Sequence, residues 1–167
     1  LVGLNLRDKI KLGASGKIVS AFDIASVLAI GADWANSARG FMFAIGCIQS
    51  QSCHTNKCPT GVATQDPLRQ RALVVPDKAQ RVFNFHRNTL HALAEMLAAA
   101  GLEHPSQLSA KHLVRRMSAT EIKLFSQLHV FLKPGELLTG EVNGEFYSRM
   151  WQMARADSFE PHEIAAA

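Results

Sequence analysis

Apolar residues recur at helical spacing over Ile18, Phe22, Ala25, Leu28 and Ala29, and Gly31 closes that pattern. Ahead of it, the short apolar run Ile10-Lys11-Leu12-Gly13 meets the turn signal Ala14-Ser15-Gly16-Lys17, which predicts a strand handing over to a helix. The sequence then repeats itself in kind. Ala32-Asp33-Trp34-Ala35 predicts a second short strand, Asn36-Ser37-Ala38-Arg39-Gly40 is a turn of small residues, and an apolar helical run starts at Phe41. Strand, turn, helix, strand, turn, helix is the order of an α/β fold with parallel strands. Leu1 to Lys9 reads as the end of a helix or a connecting segment.

Beyond this region the periodicity changes. Thr55 to Pro76 has little of it and carries Pro59, Gly61, Pro67 and Pro76, so the segment 47–76 is expected to be largely irregular. Asp77 is placed to N-cap a long helix with Val82, Phe85, Leu90, Leu93 and Leu97 on one face and Gly101 as its stop. Pro105 to Met117 reads as a short helical connector. Ser118-Ala119-Thr120-Glu121 has capping-box spacing, with Ile122, Phe125 and Leu128 behind it. Residues 77–132 are thus expected to be a helical extension. From 133 to Ala165-Ala166-Ala167 the signal decays into an expected tail, and there is no internal repeat.

Composition narrows the class. At 167 residues, 47% hydrophobic and 19% charged, the chain has apolar material for one domain, or one domain and a tail, and is not disordered throughout. Its longest apolar stretch, Phe41 to Ile48, is already broken by Gly46, far short of the roughly 18 residues of a spanning helix. The opening Leu1-Val2-Gly3 lacks a Met, a basic leader and a cleavage site, so the chain is expected to be a piece of something longer. The net charge of +4 comes from 18 basic and 14 acidic residues scattered along the chain, with aromatics at only 7%. The densest basic spots, Arg69 to Arg71 and Arg115-Arg116, are short. This fits solvated helix faces and an anionic ligand rather than a nucleic-acid surface.

All three cysteines fall between positions 47 and 58. That is a poor disulfide framework, and it points to a reducing compartment, the cytoplasm, and to a metal or redox role. Cys47-x5-Cys53-x4-Cys58-Pro59 offers three thiolates, which suits a three-iron cluster with one cysteine per iron. Zinc with His54 as a fourth ligand is the rival, although structural zinc usually uses closer ligand pairs. Three buried thiols without metal is the plain alternative. The second chemical feature is the pair of turns. Ser15-Gly16-Lys17 sits where a strand yields to a helix, a place where free N–H groups attract an anion, and Lys17 adds charge. Asn36 to Gly40 repeats this with Arg39. Two consecutive turns of this type are found at phosphate sites of β/α barrels, but small-residue turns after strands are also common in structural roles. Asp23 and Asp33 are expected to cap or to form salt bridges. His86, His91, His112 and His129 are expected to be surface or packed residues, without ligand spacing.

Together these residues resemble the FMN-binding synthase domain of the glutamate synthase family, and more closely its shorter FMN-binding members. The matching text runs Lys11-Leu12-Gly13-Ala14-Ser15-Gly16-Lys17-Ile18, then Ile30-Gly31-Ala32-Asp33. It continues at Cys47, Cys53-His54-Thr55-Asn56 and Cys58-Pro59-Thr60-Gly61-Val62-Ala63-Thr64-Gln65-Asp66-Pro67. The similarity covers about residues 8 to 90, and the cysteine block with its continuation is its most specific part. The resemblance implies the C-terminal portion of a (β/α)8 barrel, with 1–50 as its last two βα units, followed by a helical extension. It implies FMN and a [3Fe-4S] cluster, with electrons passing through the cluster to FMN. Reduced FMN then delivers a hydride to 2-iminoglutarate, formed from 2-oxoglutarate and ammonia, to give L-glutamate. By the same resemblance Cys47, Cys53 and Cys58 are the cluster ligands. Ser15, Gly16 and Lys17 form the first FMN-phosphate turn, and Asn36, Ser37, Ala38 and Arg39 the second.

The chain departs from the large glutamate synthases at both turns. They carry a double glycine where Gly16-Lys17 stands and glycine–x–glycine–threonine where Asn36 to Arg39 stand. The donors of the backbone survive that change, and substrate specificity is what it leaves open. A complete barrel needs about 250 residues, so residues contacting the flavin ring and 2-oxoglutarate are expected upstream, and the fragment alone is expected to be inactive. The implied partners are 2-oxoglutarate with ammonia or glutamine, and an electron-donor protein or an NAD(P)H-oxidising subunit. Two further readings remain at this point: a metal-stapled module without catalysis, and an FMN-dependent oxidoreductase with another substrate.

Overall fold

The structure, a computed structural model, describes residues 1–140 and 142–162. The chain divides into two compact units, Leu12–Leu113 and Leu1–Lys11 with Val114–Ala167.

In the unit Leu12–Leu113, β1 (Gly13–Ser15) and β2 (Trp34–Asn36) pair in parallel, with Ala14 opposite Ala35 and Ser15 opposite Asn36. Both strands begin two or three residues later than the hydrophobic pattern predicts. The reason lies in a local exchange at their entry. Leu12 N–H donates to the Asp33 carboxylate at 2.7 Å, and Asp33 N–H donates to the Leu12 carbonyl at 2.8 Å. Asp33 therefore has a structural hydrogen-bonding role. Between the strands lies α1 (Ala21–Ala29), a crossover that gives this unit its α/β character. It starts after Ser20, because Ser20 and Asp23 form a reciprocal capping box. Ile18, expected inside the helix, is instead buried in the loop before it.

The core of this unit is formed by Ala21 and Ala25 of α1 against Leu93 and Leu97 of α4 (Val75–Ala99). Alanines on one helix allow the leucines of the other to approach closely. The long helix begins two residues before Asp77, since Pro76 suits a first helical turn. Asp77 lies within that turn and pairs with Arg81 at 3.1 Å. A second close contact involves α2 (Ala38–Ala44), where a Cβ on Gly40 would stand 2.7 Å from the Phe85 ring of α4. Phe41 meets Phe85 edge-on, with ring centroids 5.2 Å apart. The segment between is irregular apart from a 3-10 turn at Cys53–Thr55 and the short α3 (Pro67–Gln70), which Asp66 caps.

The expected helical extension is corrected beyond α4, in the last residues of this unit and in the other unit. Pro105 to Met117 contains one 3-10 turn, Pro105–Gln107, and then β3 (Val114–Arg116), which pairs antiparallel with β4 (Ile122–Leu124). Ser118 does accept the Glu121 N–H, at 3.1 Å, as in a cap, but Met117 and Ser118 N–H groups both donate back to the Glu121 carbonyl. The same side-chain bond thereby closes a hairpin turn instead of opening a helix. Only α5 (Phe125–Leu128) remains of the expected helix. Within the expected tail, α6 (Glu136–Thr139) and α7 (Glu145–Met153) form. Buried Glu136 accepts N–H groups of Lys133 and Asn143, which hold its carboxyl below the usual range. The tail expectation for Ala165 to Ala167 lies outside the described residues. No helix among the described residues is long and apolar enough to cross a membrane.

Candidate functional site

A cleft of about 400 Å³ opens beside the ends of β1 and β2. The first turn lines it with Ser15, Gly16 and Lys17, and the second with Asn36, Ala38 and Arg39. Met42 and Phe43 of α2 supply its apolar wall. Six of the seven residues expected at the two turns thus line a single cleft. Ser37 does not line it; its hydroxyl donates to the Ile18 carbonyl at 2.8 Å and ties one turn to the other.

The backbone around the cleft is unusual. Gly16 has φ +111°, a conformation strained for any residue with a side chain, although a Cβ there would meet nothing within 4 Å. The need for glycine is therefore one of backbone conformation and not of space. Lys17, Gln49 and Gln51 all adopt left-handed φ of 56–58°, and all three line the cleft. Non-glycine residues held this way are concentrated at binding sites. Gln49 and Gln51 have no signal in the sequence beyond lying between two cysteines. Among the described residues the cleft is lined by two cations, Lys17 and Arg39, and by no carboxylate, and neither cation has an ion-pair partner. Such a cleft favours an anion.

The cysteine loop forms the remaining wall. Cys47 and Cys53 line the cleft, whereas Cys58 is buried and does not. All three are free thiols. Among the described residues no three His, Cys, Asp or Glu side chains stand together as a metal site, so the structure brings two thiols to one surface without converging all three. The donor chemistry fits a soft metal or an iron–sulfur cluster. His54, the alternative fourth ligand for zinc, is exposed and joins no such group.

Two local devices hold this loop. Asn56, in the left-handed region, accepts the Gln65 N–H at 2.6 Å and the Thr64 hydroxyl at 3.0 Å, clamping the segment between Cys53 and Cys58 onto the next turn. Around Cys58, the Thr60 hydroxyl lies 3.5 Å from the sulfur, and backbone N–H groups of Ala63, Thr60 and Val62 also face it. Led by the Thr60 hydroxyl, these bring the thiol down to about 7. Elsewhere, Asp23 caps α1, His86 lies 6.0 Å from the Phe41 ring and His91 sits 3.8 Å from Glu95, all structural or surface roles.

Residues 1–103 match the conserved region in glutamate synthase. The chain belongs to the glutamate synthase family. It is 44% identical over 128 residues to the glutamate synthase large subunit-like protein YerD of Bacillus subtilis, covering 76% of this chain and 24% of that protein. It is 36% identical over 99 residues to ferredoxin-dependent glutamate synthase 2 of Synechocystis, covering 59% of this chain and 6% of that protein. With the archaeal glutamate synthase [NADPH] of Methanocaldococcus jannaschii it shares 36% identity over 97 residues, 58% of this chain and 19% of that protein. The chain therefore spans about a quarter or less of the length of these relatives. Both basic turns, all three cysteines and the core pair of α1 and α4 fall inside the family match.

Proposed function

We propose that this chain is the cofactor-binding C-terminal portion of the (β/α)8 barrel of a glutamate-synthase-type oxidoreductase. In this reading β1, α1, β2 and α2 are the last two βα units. The cleft takes the phosphate of FMN, and Cys47, Cys53 and Cys58 hold a [3Fe-4S] cluster. When bound, the flavin supplies the hydride that yields L-glutamate from 2-oxoglutarate and nitrogen of ammonia or glutamine, and the cluster supplies it with single electrons.

The observation that carries the reading is the cleft wall with two cations that have no ion-pair partner among the described residues, no carboxylate among its described lining residues, and two free thiols. A phosphate monoester is close to a dianion at neutral pH, so Lys17 and Arg39 answer its charge while turn residues Ser15 and Asn36 offer polar atoms. Arg39 presents a planar fork suited to phosphate oxygens, and Lys17 a point charge. Met42 and Phe43 give one side of the cleft an apolar wall. The apolar side of the same cleft suits the stem of a flavin better than a bare inorganic anion. Relatives named as ferredoxin-dependent and as using NADPH both match, so the electron donor is either a small redox protein or an NAD(P)H-oxidising subunit. Thiols kept available for a cluster fit a reducing compartment such as the cytoplasm.

Flavin binding to the complete protein tests this. Replacing Lys17 and Arg39 together with alanine removes two charge-assisted contacts, and FMN affinity is expected to fall by at least about tenfold. Riboflavin, which lacks the phosphate, should bind parent and variant alike. Equal FMN affinity in the double variant overturns the assignment of the cleft.

A further inference from the structure

We infer that Gln49 and Gln51 form a neutral, hydrogen-bonding wall of the cleft that reads the hydroxylated stem of its phosphorylated ligand. This deepens the FMN reading of the cleft and rests on it. The wall is visible as an alternation along the chain. Cys47, Gln49, Gln51 and Cys53 all line the cleft, whereas Ile48, Ser50 and Ser52 between them do not. Ile48 is exposed instead, and the Ser50 and Ser52 hydroxyls pair with each other at 3.0 Å. One side of the segment is thus bonded to itself, and the other is turned to the cleft.

The backbone imposes this arrangement. Gln49 and Gln51 have φ of 57° and 58°, a left-handed conformation that costs free energy for any residue with a side chain. Both ends of the segment are fastened. The Cys47 N–H donates to the Met42 carbonyl at 2.9 Å, at the end of α2. At the other end the Thr55 hydroxyl donates to the Ser52 carbonyl at 2.7 Å. Among the described residues neither Gln49 nor Gln51 makes a side-chain hydrogen bond, so both carboxamides are available to an occupant of the cleft.

The chemistry of that occupant follows from the donors. A carboxamide offers two N–H donors and a carbonyl acceptor, and a hydroxyl both donates and accepts, so the two groups pair in either sense. Gln49 and Gln51 carry no charge, while the cations of the cleft, Lys17 and Arg39, belong to the turns. An anionic head at the turns and a neutral polyol beside the glutamines account for both kinds of lining. The stem of FMN is such a chain, since successive carbons bearing hydroxyls join its phosphate to its ring. The C–H surface of the same stem suits Met42 and Phe43.

The experiment measures binding of FMN, riboflavin and a flavin with an unhydroxylated phosphopentyl stem to the flavin-free complete protein. Gln49→Met combined with Gln51→Met keeps unbranched side chains of similar length and deletes both carboxamides. FMN and riboflavin share the hydroxylated stem, and each is expected to bind this double variant about tenfold more weakly than the parent. The phosphopentyl flavin is expected to bind parent and double variant within about twofold of each other. A loss of fold would weaken all three ligands alike, so the comparison separates it from a loss of hydroxyl recognition. Equal weakening of all three overturns the inference, as does an unchanged affinity for FMN, and the phosphate reading then stands. A parent protein that binds FMN no more tightly than riboflavin overturns the phosphate reading, and this inference with it.

Discussion

Asp23 shows how one side chain fixes the geometry of the cleft from outside it. One carboxylate oxygen accepts the Ser20 N–H and hydroxyl, both at 2.8 Å, and the Val19 N–H at 3.1 Å. These bonds, led by the Ser20 backbone, hold its carboxyl below the ordinary value. A depressed folded-state value means the stabilisation is present above the unfolded carboxylate range near 3.8 and is lost as pH falls through the folded value. Asp23→Ala is expected to loosen α1 by about 1 kcal/mol at neutral pH, or about fivefold faster amide exchange across Ala21–Ala29. In acid the difference between parent and variant should shrink, and a gap that persists there would contradict the mechanism. The Ser20 and Asp23 spacing is legible in the sequence, as are the two turns and the cysteine block. The glutamine wall of the cleft is not, because it depends on left-handed backbone at Gln49 and Gln51 that no local pattern encodes.

Among the elements, α2 carries Met42 and Phe43 to the cleft and takes its position from α4. Alanine in place of a helical glycine ordinarily favours a helix by about 1 kcal/mol. At Gly40 the added Cβ would stand 2.5 Å from Ser37 Oγ and 2.7 Å from the Phe85 ring, and that Oγ is engaged with Ile18. The steric term exceeds the propensity gain. Gly40→Ala is expected to destabilise by about 1–3 kcal/mol and to weaken FMN binding through displaced α2. Phe85→Leu should recover part of both losses, and a Gly40→Ala protein with parental melting and flavin affinity would show that α2 is not held this way. Element boundaries were less legible than element types in the same region. The apolar pattern placed β1 and β2 too early because Leu12 and Asp33 pair before the ladder starts. Ser118 and Glu121 misdirected the reading for a related reason: their side-chain bond serves a hairpin as well as a helix, and the partner strand Val114–Arg116 decides between them.

At the scale of the molecule, the parallel pair β1–β2 leaves one edge of each strand without a further strand partner among the described residues. Parallel sheets are normally covered on both faces and continued at both edges. Here Trp34 on β2, Phe22 in α1 and Ile30 just after it remain about half exposed, and no large side chain anywhere among the described residues is fully buried. The buried cluster that does exist joins two alanines to two leucines, so it contributes less apolar burial than a core of large side chains. On the proposed barrel reading the sequence carries the cause of this shortfall in plain sight, since it supplies two parallel strands where a complete barrel needs eight. It could not show how little core those strands would leave. The isolated chain is therefore expected to melt broadly, to bind a hydrophobic dye and to hold FMN weakly at best. Co-expression with the upstream part of a complete relative should sharpen the melt and suppress dye binding, because in the proposed barrel further strands would pair with the β1 and β2 edges and cover Trp34. A sharp, calorimetrically two-state melt of the isolated chain without dye binding would instead mean that these two βα units and their helices are self-sufficient. That result would remove the barrel from the reading while leaving the cleft and its thiols to be judged on their own ligands.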